Sequence, residues 1–296
     1  MITDFDSKLA DLHKAWVDIA KDALEKAPAI HEQFTDVVPV DGTSLDYGFL
    51  DNMPSLKDWI GNKAYESLRA NSHSIPVQPK EASFAISRVQ VQGDRHGMIA
   101  KSLSDQAAAG SQLKDELVID KLLAGFSDTG YDGVAFFSTA HPNGPSNGTQ
   151  SNTATSALAS AAFDTARETM RKLRSESGRS LNIRPNILLV GPSLETTALD
   201  IVKAELTGGG NSNSRASYGV EVVVSPRIQG SYDNYWFLLD GSKAAKAMAL
   251  GVQRDIEPKD NLDAYQELPE YHFSMEGDLA CGYGLWQLAY GSTGAS

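Results

Sequence analysis

Residues 104–127 (SDQAAAGSQLKDELVIDKLLAGFS) form the longest helical pattern in this chain of 296 residues. Ser104 is placed to cap the first turn, because its hydroxyl can accept a hydrogen bond from a backbone N–H group. In the later turns, apolar side chains cover most sides of the helix instead of one stripe. They are Leu113, Leu117, Val118, Ile119, Leu122 and Leu123. We expect this half of the helix to be deeply buried, so other elements must surround it.

The chain after a polar loop at 141–162 alternates between helical and strand patterns. The loop is rich in Gly, Pro, Ser, Thr and Asn, which favour turns. Helices are predicted at 163–178, with Gly178 as the stop, and at 192–206, with Ser193 as the cap and Gly208 past the end. Strands are predicted at 186–191, 220–226 and 235–240. This alternation is typical of a compact α/β subdomain. Residues 251–290 predict long extended strands with glycine bulges.

Residues 4–27 form an amphipathic helix pattern that needs a docking surface. Apolar side chains, among them Leu12 and Trp16, recur at steps of three and four residues. Ala27-Pro28 ends the pattern, and an extended stretch at 29–45 follows. The apolar face can dock either on its own domain or on another subunit, and the sequence leaves both alternatives open.

Residues 62–92 predict a long two-stranded arm. Two segments, NKAYESLRANS and SFAISRVQV, flank a polar tip with the sequence HSIPVQPKE, and the second segment alternates apolar and polar residues. An isolated hairpin of this kind is only marginally stable in water. We therefore expect the arm to lie against a partner.

The charge and cysteine content exclude several classes of function. The formal net charge is −12, and residues 1–60 alone hold five Lys against twelve Asp and Glu, whereas a general nucleic-acid binder is expected to be basic. The single cysteine, Cys281, excludes an intrachain disulfide and fits a reducing compartment. No apolar run approaches the roughly 18 residues that span a membrane, and the N-terminal stretch lacks the apolar core of a signal peptide. We predict no membrane partner.

Residues 131–142 (YDGVAFFSTAHP) are the stretch that most suggests catalysis. Asp132 could orient His141 as a general base, which would make the chain an α/β hydrolase-type enzyme. No nucleophile motif of the G-x-S-x-G type accompanies the pair, so we favour a turn followed by a core strand. The histidines show no metal-ligand spacing, and the glycine-rich stretch at 208–214 lacks the Lys of a phosphate-binding loop. We predict no catalytic, metal or cofactor site.

A basic stripe stands out in this acidic chain. Between residues 167 and 184 it includes Arg167, Arg171, Lys172, Arg174, Arg179 and Arg184, against only Glu168 and Glu176. One interpretation is a solvated helix face. The other is an electrostatic contact with the acidic surface of a neighbouring copy.

Four blocks of the sequence resemble the major head subunit of Mu-like phages and prophages. They are YGFLDNMPSLKDWIG (47–61), FAISR (84–88), YDGVAFFSTAHP (131–142) and FDTARETMRKLRSESGRSLNIRPNILLVGPSLE (163–195). The resemblance extends over nearly the whole chain, from about residue 5 to about residue 290. Four blocks in the same order are more specific than any single block.

The resemblance implies an α+β fold, the tailed-phage major capsid fold named after phage Hong Kong 97. The expected parts are an N-terminal arm at 1–45, an extended β-hairpin loop with flanking strands at 46–92, a peripheral domain at 93–162 with a spine helix at 104–127, an α/β axial domain at 163–250 and return strands of the peripheral domain at 251–296.

The function implied by the resemblance is structural, with no enzymatic activity and no cofactor. Pentamers and hexamers of the subunit would form an icosahedral head, assembled in the cytoplasm of a bacterial host, that encloses double-stranded DNA without sequence-specific binding. A portal and decoration proteins are further expected partners. A separate scaffold protein is expected because the first block begins at residue 47, which leaves no room for a scaffolding segment. An encapsulin-like compartment shell stays the alternative. The predicted intersubunit contacts are Leu12, Trp16, Trp59, Tyr65, Leu68, Arg171 and Arg174.

Overall fold

The computed structural model describes residues 2–51, 69–94, 97–143, 148–176, 178–205, 212–261 and 270–295. Within these ranges the α-helices are α1 (Ile2–Lys26), α2 (Arg88–Gly93), α3 (Met98–Ala124), α4 (Ser160–Lys172) and α5 (Glu195–Val202). The strands are β1 (Thr35–Pro39), β2 (Ser44–Asp51), β3 (Arg69–Pro76), β4 (Gln78–Ser87), β5 (His141–Pro142), β6 (Thr149–Gln150), β7 (Thr153–Ala154), β8 (Ile187–Val190), β9 (Glu221–Val224), β10 (Trp236–Leu239), β11 (Met248–Asn261), β12 (Glu270–Tyr283) and β13 (Ala289–Ser292). None of the described helices is long and apolar enough to cross a membrane.

The long helix α3 begins at Met98, six residues earlier than predicted. The carboxylate of Asp94 caps it by accepting hydrogen bonds from the backbone N–H groups of Met98 (2.9 Å) and Ile99 (3.0 Å), which satisfies two donors that a helix start leaves open. Ser104 therefore lies inside the helix, and the predicted cap is wrong. The predicted burial is confirmed for Val118, Ile119, Leu122 and Leu123, which are at most 6% exposed, whereas Leu113 and Leu117 are only partly buried.

A four-stranded sheet in the order β1-β11-β12-β4 supports this helix. Strands β11 and β12 form a long antiparallel hairpin whose register shifts between Val252 and Glu257. Opposite the shift lies Gly277, where a Cβ atom would come within 3.0–3.1 Å of Ile256. The long strands predicted for this part of the chain are confirmed, but the predicted glycine bulge is wrong, because the extra residues at the register shifts lie in β11 and are not glycines. At the edges, β1 pairs parallel to β11, and β4 pairs antiparallel to β12.

Helix α1 packs on α3 and on this sheet within the same chain. One apolar cluster joins Trp16 and Ala20 of α1 with Leu103 and Ala107 of α3 and with Phe273 and Met275 of β12. Only 5% of Trp16 is exposed. Of the two docking alternatives that the sequence leaves open, the structure has the one in which the amphipathic helix docks on its own chain.

The projecting hairpin differs from the predicted arm. Its paired strands are β2 and β3, with Ser44 opposite Pro76 and Asp51 opposite Arg69, so it begins near residue 44 instead of 62. The segment SFAIS (83–87), predicted as part of the second arm strand, belongs to β4 and pairs with β12. Strand β4 ends because Ser87 and Gln90 form a capping box that starts α2.

A five-stranded sheet in the order β7-β13-β10-β8-β9 forms the other half of the fold. Strands β8 and β10 are buried on both faces and carry continuous apolar runs, ILLV and WFLL, as expected for central strands. The α/β pattern predicted for 163–250 is confirmed. The prediction for the end of the chain is wrong in part, because β13 pairs with β10 and lies in this sheet, away from β11 and β12.

The two helices of this half are shorter than predicted. Helix α4 buries Phe163, Ala166 and Met170, as its periodicity predicts, but it ends at Lys172 instead of Gly178. Helix α5 begins at Glu195 after a short 3₁₀ turn. Ser193 does not cap it, since its hydroxyl donates to Asp233 Oδ1 at 3.2 Å. Gly208 lies outside the described residues.

Candidate functional site

Asp132 and His141 are in contact, as their sequence context suggested. His141 Nδ1 lies 2.6 Å from Asp132 Oδ2, and the imidazole stacks on the indole of Trp286 with ring centres 3.8 Å apart and planes 5° from parallel. A tight turn brings the two together, because Gly133 takes a left-handed φ of 82°. The pair therefore has the spacing of a base and its orienting carboxylate.

The environment of the pair is closed. His141 is fully buried, and its second ring nitrogen, Nε2, lies 3.0 Å from Asn152 Oδ1. The amide of Asn152 is oriented by three backbone carbonyls that accept from its Nδ2 atom, those of Phe136 (2.9 Å), Trp286 (3.3 Å) and Ala289 (3.2 Å). Since Oδ1 is an acceptor, Nε2 must carry a hydrogen.

These contacts place Asp132 and His141 in a buried hydrogen-bond network with a structural role. Asn152 Oδ1 also accepts from the backbone N–H of Ser138 at 2.9 Å, so Asn152 joins the 130–141 loop to the stretch around Trp286. Both nitrogens and one face of the imidazole are occupied, which leaves no position for a substrate. The favoured interpretation, a turn that leads into the core, agrees with this geometry.

A second buried histidine was missed by sequence reasoning. His31 Nδ1 lies 2.6 Å from Asp115 Oδ1 in α3, and the carboxylate also accepts from the backbone N–H groups of His31 (2.8 Å) and Ile30 (3.1 Å). Burial alone would raise the pKa of Asp115, but these hydrogen bonds together hold that pKa below its usual value. The residues lie 84 positions apart, and no local pattern links them. The contact fastens the end of the N-terminal region to the long helix.

Cys281 and the metal-ligating side chains offer no reactive site. Burial raises the pKa of the Cys281 thiol to about 12, so the nucleophilic thiolate is scarce at neutral pH. Among the residues that the structure describes, no group of three His, Cys, Asp or Glu side chains could hold a metal ion.

The root of the β2–β3 hairpin is fixed on the four-stranded sheet. The Tyr47 hydroxyl donates to Asp36 Oδ2 at 2.7 Å. Burial is the larger cause, and this hydrogen bond the second, of a raised pKa of Tyr47. Ile75 packs over Gly282, where a Cβ atom would collide with it. The β2–β3 hairpin is therefore anchored at its base on the four-stranded sheet.

The basic stripe is divided by the fold. The guanidinium of Arg167 stacks on the Tyr218 ring at 3.9 Å, and Lys172 forms an ion pair with Glu168. Arg171 is exposed at the end of α4. Arg174 is exposed as well, but lies in a turn closed by its pairing with Ser180. The stripe predicted from the sequence is therefore not one surface.

Part of the stripe lines a cleft of about 460 Å³. We name it the basic cleft, because Arg174, Arg179 and Lys243 line it with a single acid, Glu176. Its apolar lining is formed by Leu181, Ile183, Leu285, Trp286 and Leu288. Sequence reasoning picked out Arg174 and Arg179 but missed Lys243, which lies 64 residues further on and reaches the cleft only through the fold.

The other predicted contact residues divide into two groups. Leu12 lies on α1, and Trp16 is buried inside its own chain, so its indole is not free for a second copy. Trp59, Tyr65 and Leu68 lie outside the described residues.

Comparison with solved structures identifies the class of fold. The capsid of bacteriophage JBD30 matches with a TM-score of 0.58 and 22% identity, over 70% of this chain and 93% of that chain. The procapsid of the same phage matches with a TM-score of 0.57 and 21% identity, over 97% of this chain and 75% of that chain. The fold is that of tailed-phage capsid subunits, the Hong Kong 97 type.

The family follows from the sequence. The profile of the family described as "Mu-like prophage major head subunit gpT" matches residues 9–163, 153–228 and 220–295, and this chain belongs to that family. The Mu-like prophage FluMu major head subunit of Haemophilus influenzae Rd is 33% identical over 124 residues, 42% of this chain and 40% of the relative. The major capsid protein of Escherichia phage Mu is 32% identical over 131 residues, 44% of this chain and 43% of the relative. The aligned segments thus span about two fifths of these relatives.

Proposed function

We propose that this protein is the major capsid subunit of a phage head. Copies of it would assemble as pentamers and hexamers into an icosahedral shell that encloses double-stranded DNA. The observation that carries the proposal is the family match from residue 9 to residue 295, joined by a fold shared with the JBD30 procapsid over 97% of the chain. A portal, a separate scaffold and decoration proteins are the proposed partners, and the virion, after assembly in the host cytoplasm, is the proposed location.

The physical chemistry of the chain supports this role. An acidic protein of net charge −12 can surround DNA without binding it tightly, because its charge repels the phosphates. The β2–β3 ladder is anchored at its base by the Tyr47–Asp36 hydrogen bond, and a loop that contacts a neighbouring subunit requires such an anchor. The closed Asp132–His141 pair speaks against enzymatic activity. An encapsulin-like shell would share the fold, and the family membership favours the phage head.

The first test is the size of the purified protein, measured by light scattering and by negative-stain microscopy of the same sample. We expect megadalton shells, or pentamers and hexamers that close when a scaffold is supplied. A monomer or dimer of the 31.8 kDa chain that stays unchanged with concentration and with scaffold would contradict the proposal.

A hairpin variant sharpens this test. Asp51 and Arg69 are ladder partners, so a two-residue Asn-Gly turn in place of residues 52–68 keeps the register of β2 and β3. We expect this variant to keep the melting temperature of the unassembled subunit and to lose assembly, since it lacks the predicted contacts Trp59, Tyr65 and Leu68. Shell formation by the variant at the wild-type concentration would show that these contacts are dispensable.

A further inference from the structure

The basic cleft has a charge that the rest of the chain does not share. Arg174, Arg179 and Lys243 form no ion pair with any residue that the structure describes, although the chain has an excess of twelve acids. Arg174 and Arg179 are exposed and Lys243 is half-buried, whereas Arg215 elsewhere in the chain is paired with Asp164. The three cations of the cleft are therefore available for a carboxylate from another molecule.

The lining of the cleft adds a second requirement. Below the cations lie apolar side chains, including the buried Trp286 and Leu288, and an apolar surface is covered most favourably by apolar groups. A small anion would pair with the cations and leave the apolar lining of the cleft exposed to water. The cleft fits a peptide that carries several carboxylates and several large apolar side chains.

One segment of this chain has that composition. Residues 260–270 (DNLDAYQELPE) contain four acids, no Lys and no Arg, together with Leu262, Tyr265 and Leu268. Residues 41–51 are also acidic and lack cations, but their Leu45 and Tyr47 are buried in the chain's own core. The segment at 260–270 is therefore the better match to the cleft.

The segment cannot reach the cleft of its own chain. The cleft lies at the base of the β11–β12 hairpin, because Leu285 donates its backbone N–H to the Lys246 carbonyl (3.1 Å) two residues before Met248. Asn261 and Glu270, the two described ends of this segment, are at the opposite end of the hairpin, and Asn261 lies thirteen steps along β11 from Met248. At about 3.4 Å per step the separation is about 40 Å. The eight residues between these two ends are too few to reach back over that distance, so a cleft that holds this segment takes it from a second copy.

We propose that the basic cleft binds the acidic segment 260–270 of a second copy of this chain. Such a contact is heterologous, because one copy contributes the cleft and the other contributes the segment, and contacts of this kind generate rings when the rotation closes. The proposal rests on the proposed function, since it names the surface that joins subunits of the shell.

The test uses charge reversal in the full-length chain. In the double variant Arg174→Glu with Arg179→Glu, we expect the protein concentration needed for assembly to rise about tenfold or more, because like charges then face each other. Lys203→Glu is the control, since Lys203 is exposed just after α5, does not line the cleft and is not a predicted contact. Equal assembly of the double variant and the wild type would overturn the proposal, and so would an equal loss in the control.

A peptide measurement separates this contact from assembly as a whole. A labelled peptide of residues 260–270 should bind the unassembled wild-type subunit and block its assembly. The same peptide with Asn and Gln in place of Asp and Glu should have a dissociation constant at least about tenfold higher. Equal binding of the two peptides would overturn the proposal. If the wild-type protein never assembles, the proposed function fails, and peptide binding still reports on the cleft. If the double variant has a lowered melting temperature, the Lys243→Gln variant is used instead. Binding of the labelled peptide to this variant that equals binding to the wild type would again overturn the proposal.

Discussion

Replacement of Asn152 by Ala should destabilise this protein more than replacement of any neighbouring polar residue. The side chain is fully buried and takes part in five hydrogen bonds. Alanine keeps the backbone bonds of residue 152 and removes all five of these contacts. The His141 Nε2–H group and the Ser138 backbone N–H then lie in the core without an acceptor.

The size of the loss follows from these two donors. A buried polar group left without a partner costs about 1–3 kcal/mol, so the two donors together cost about 2–6 kcal/mol. The three carbonyls add less, because a carbonyl oxygen without a partner is tolerated more often than an N–H group. A loss of about 4 kcal/mol corresponds to a fall in melting temperature of about 10 °C for a chain of this size.

The measurement is thermal and urea unfolding of the dilute, unassembled subunit. Thr155→Ala is the matched control, since Thr155 lies three residues away and is exposed; we expect a change within about 0.5 kcal/mol. Asn152→Asp keeps the acceptor for both donors but places a buried carboxylate oxygen against three backbone carbonyls, and should also be destabilised, because a buried charge without a donor is costly. If Asn152→Ala unfolds at the same urea concentration as Thr155→Ala, the network does not hold the core and the reasoning is wrong.

Three further predictions concern stability and reactivity. Asp115→Asn should cost about 1.5–3 kcal/mol at neutral pH; because the pKa of Asp115 is lowered in the folded protein, this difference should be present above about pH 4 and shrink as the pH falls below it, as urea unfolding at several pH values would show. The Cys281 thiol should react with a thiol reagent at pH 8 about a thousandfold more slowly in the folded protein than in urea, because its pKa is raised, and comparable rates would contradict that raised pKa. Trp16→Ala should destabilise the dilute, unassembled subunit by about 3–5 kcal/mol. An effect on the assembled protein alone would mean that Trp16 contacts another copy instead.

The sequence predicts well the elements whose signal is local. The apolar runs of β8 and β10 and the periodic face of α4 were found because a buried strand or helix face shows its period directly. The end of β4 was also readable, since Ser87 and Gln90 have the spacing of a capping box, but the alternation that continues through Val89 and Val91 concealed it.

Features that depend on distant partners could not be predicted. The cap of α3 at Asp94 is separated from the helix by Gly97, whose φ of 65° brings the chain back toward the cap, and nothing in the local pattern marks this bend. The pairing of β13 with β10 joins residues about fifty positions apart. The Asp132–His141 pair was found because its members are only nine positions apart. Asn152 occupies the second nitrogen of His141 and so makes the pair structural, but no local pattern marks it.

The positions at which the chain crosses between the two sheets explain why the buried network and the basic cleft lie together. The chain crosses after α3, again between β10 and β11, and a third time between β12 and β13. Asn152 ties the first crossing to the third through its bonds to the Phe136 and Trp286 carbonyls. Gly284 ties the third to the second by donating to the Ala247 carbonyl at 2.8 Å. These bonds join the three crossings at one junction, and Trp286 and Lys243 of the basic cleft belong to two of the same crossings. A segment bound in the cleft would therefore contact the junction at which the two sheets are joined.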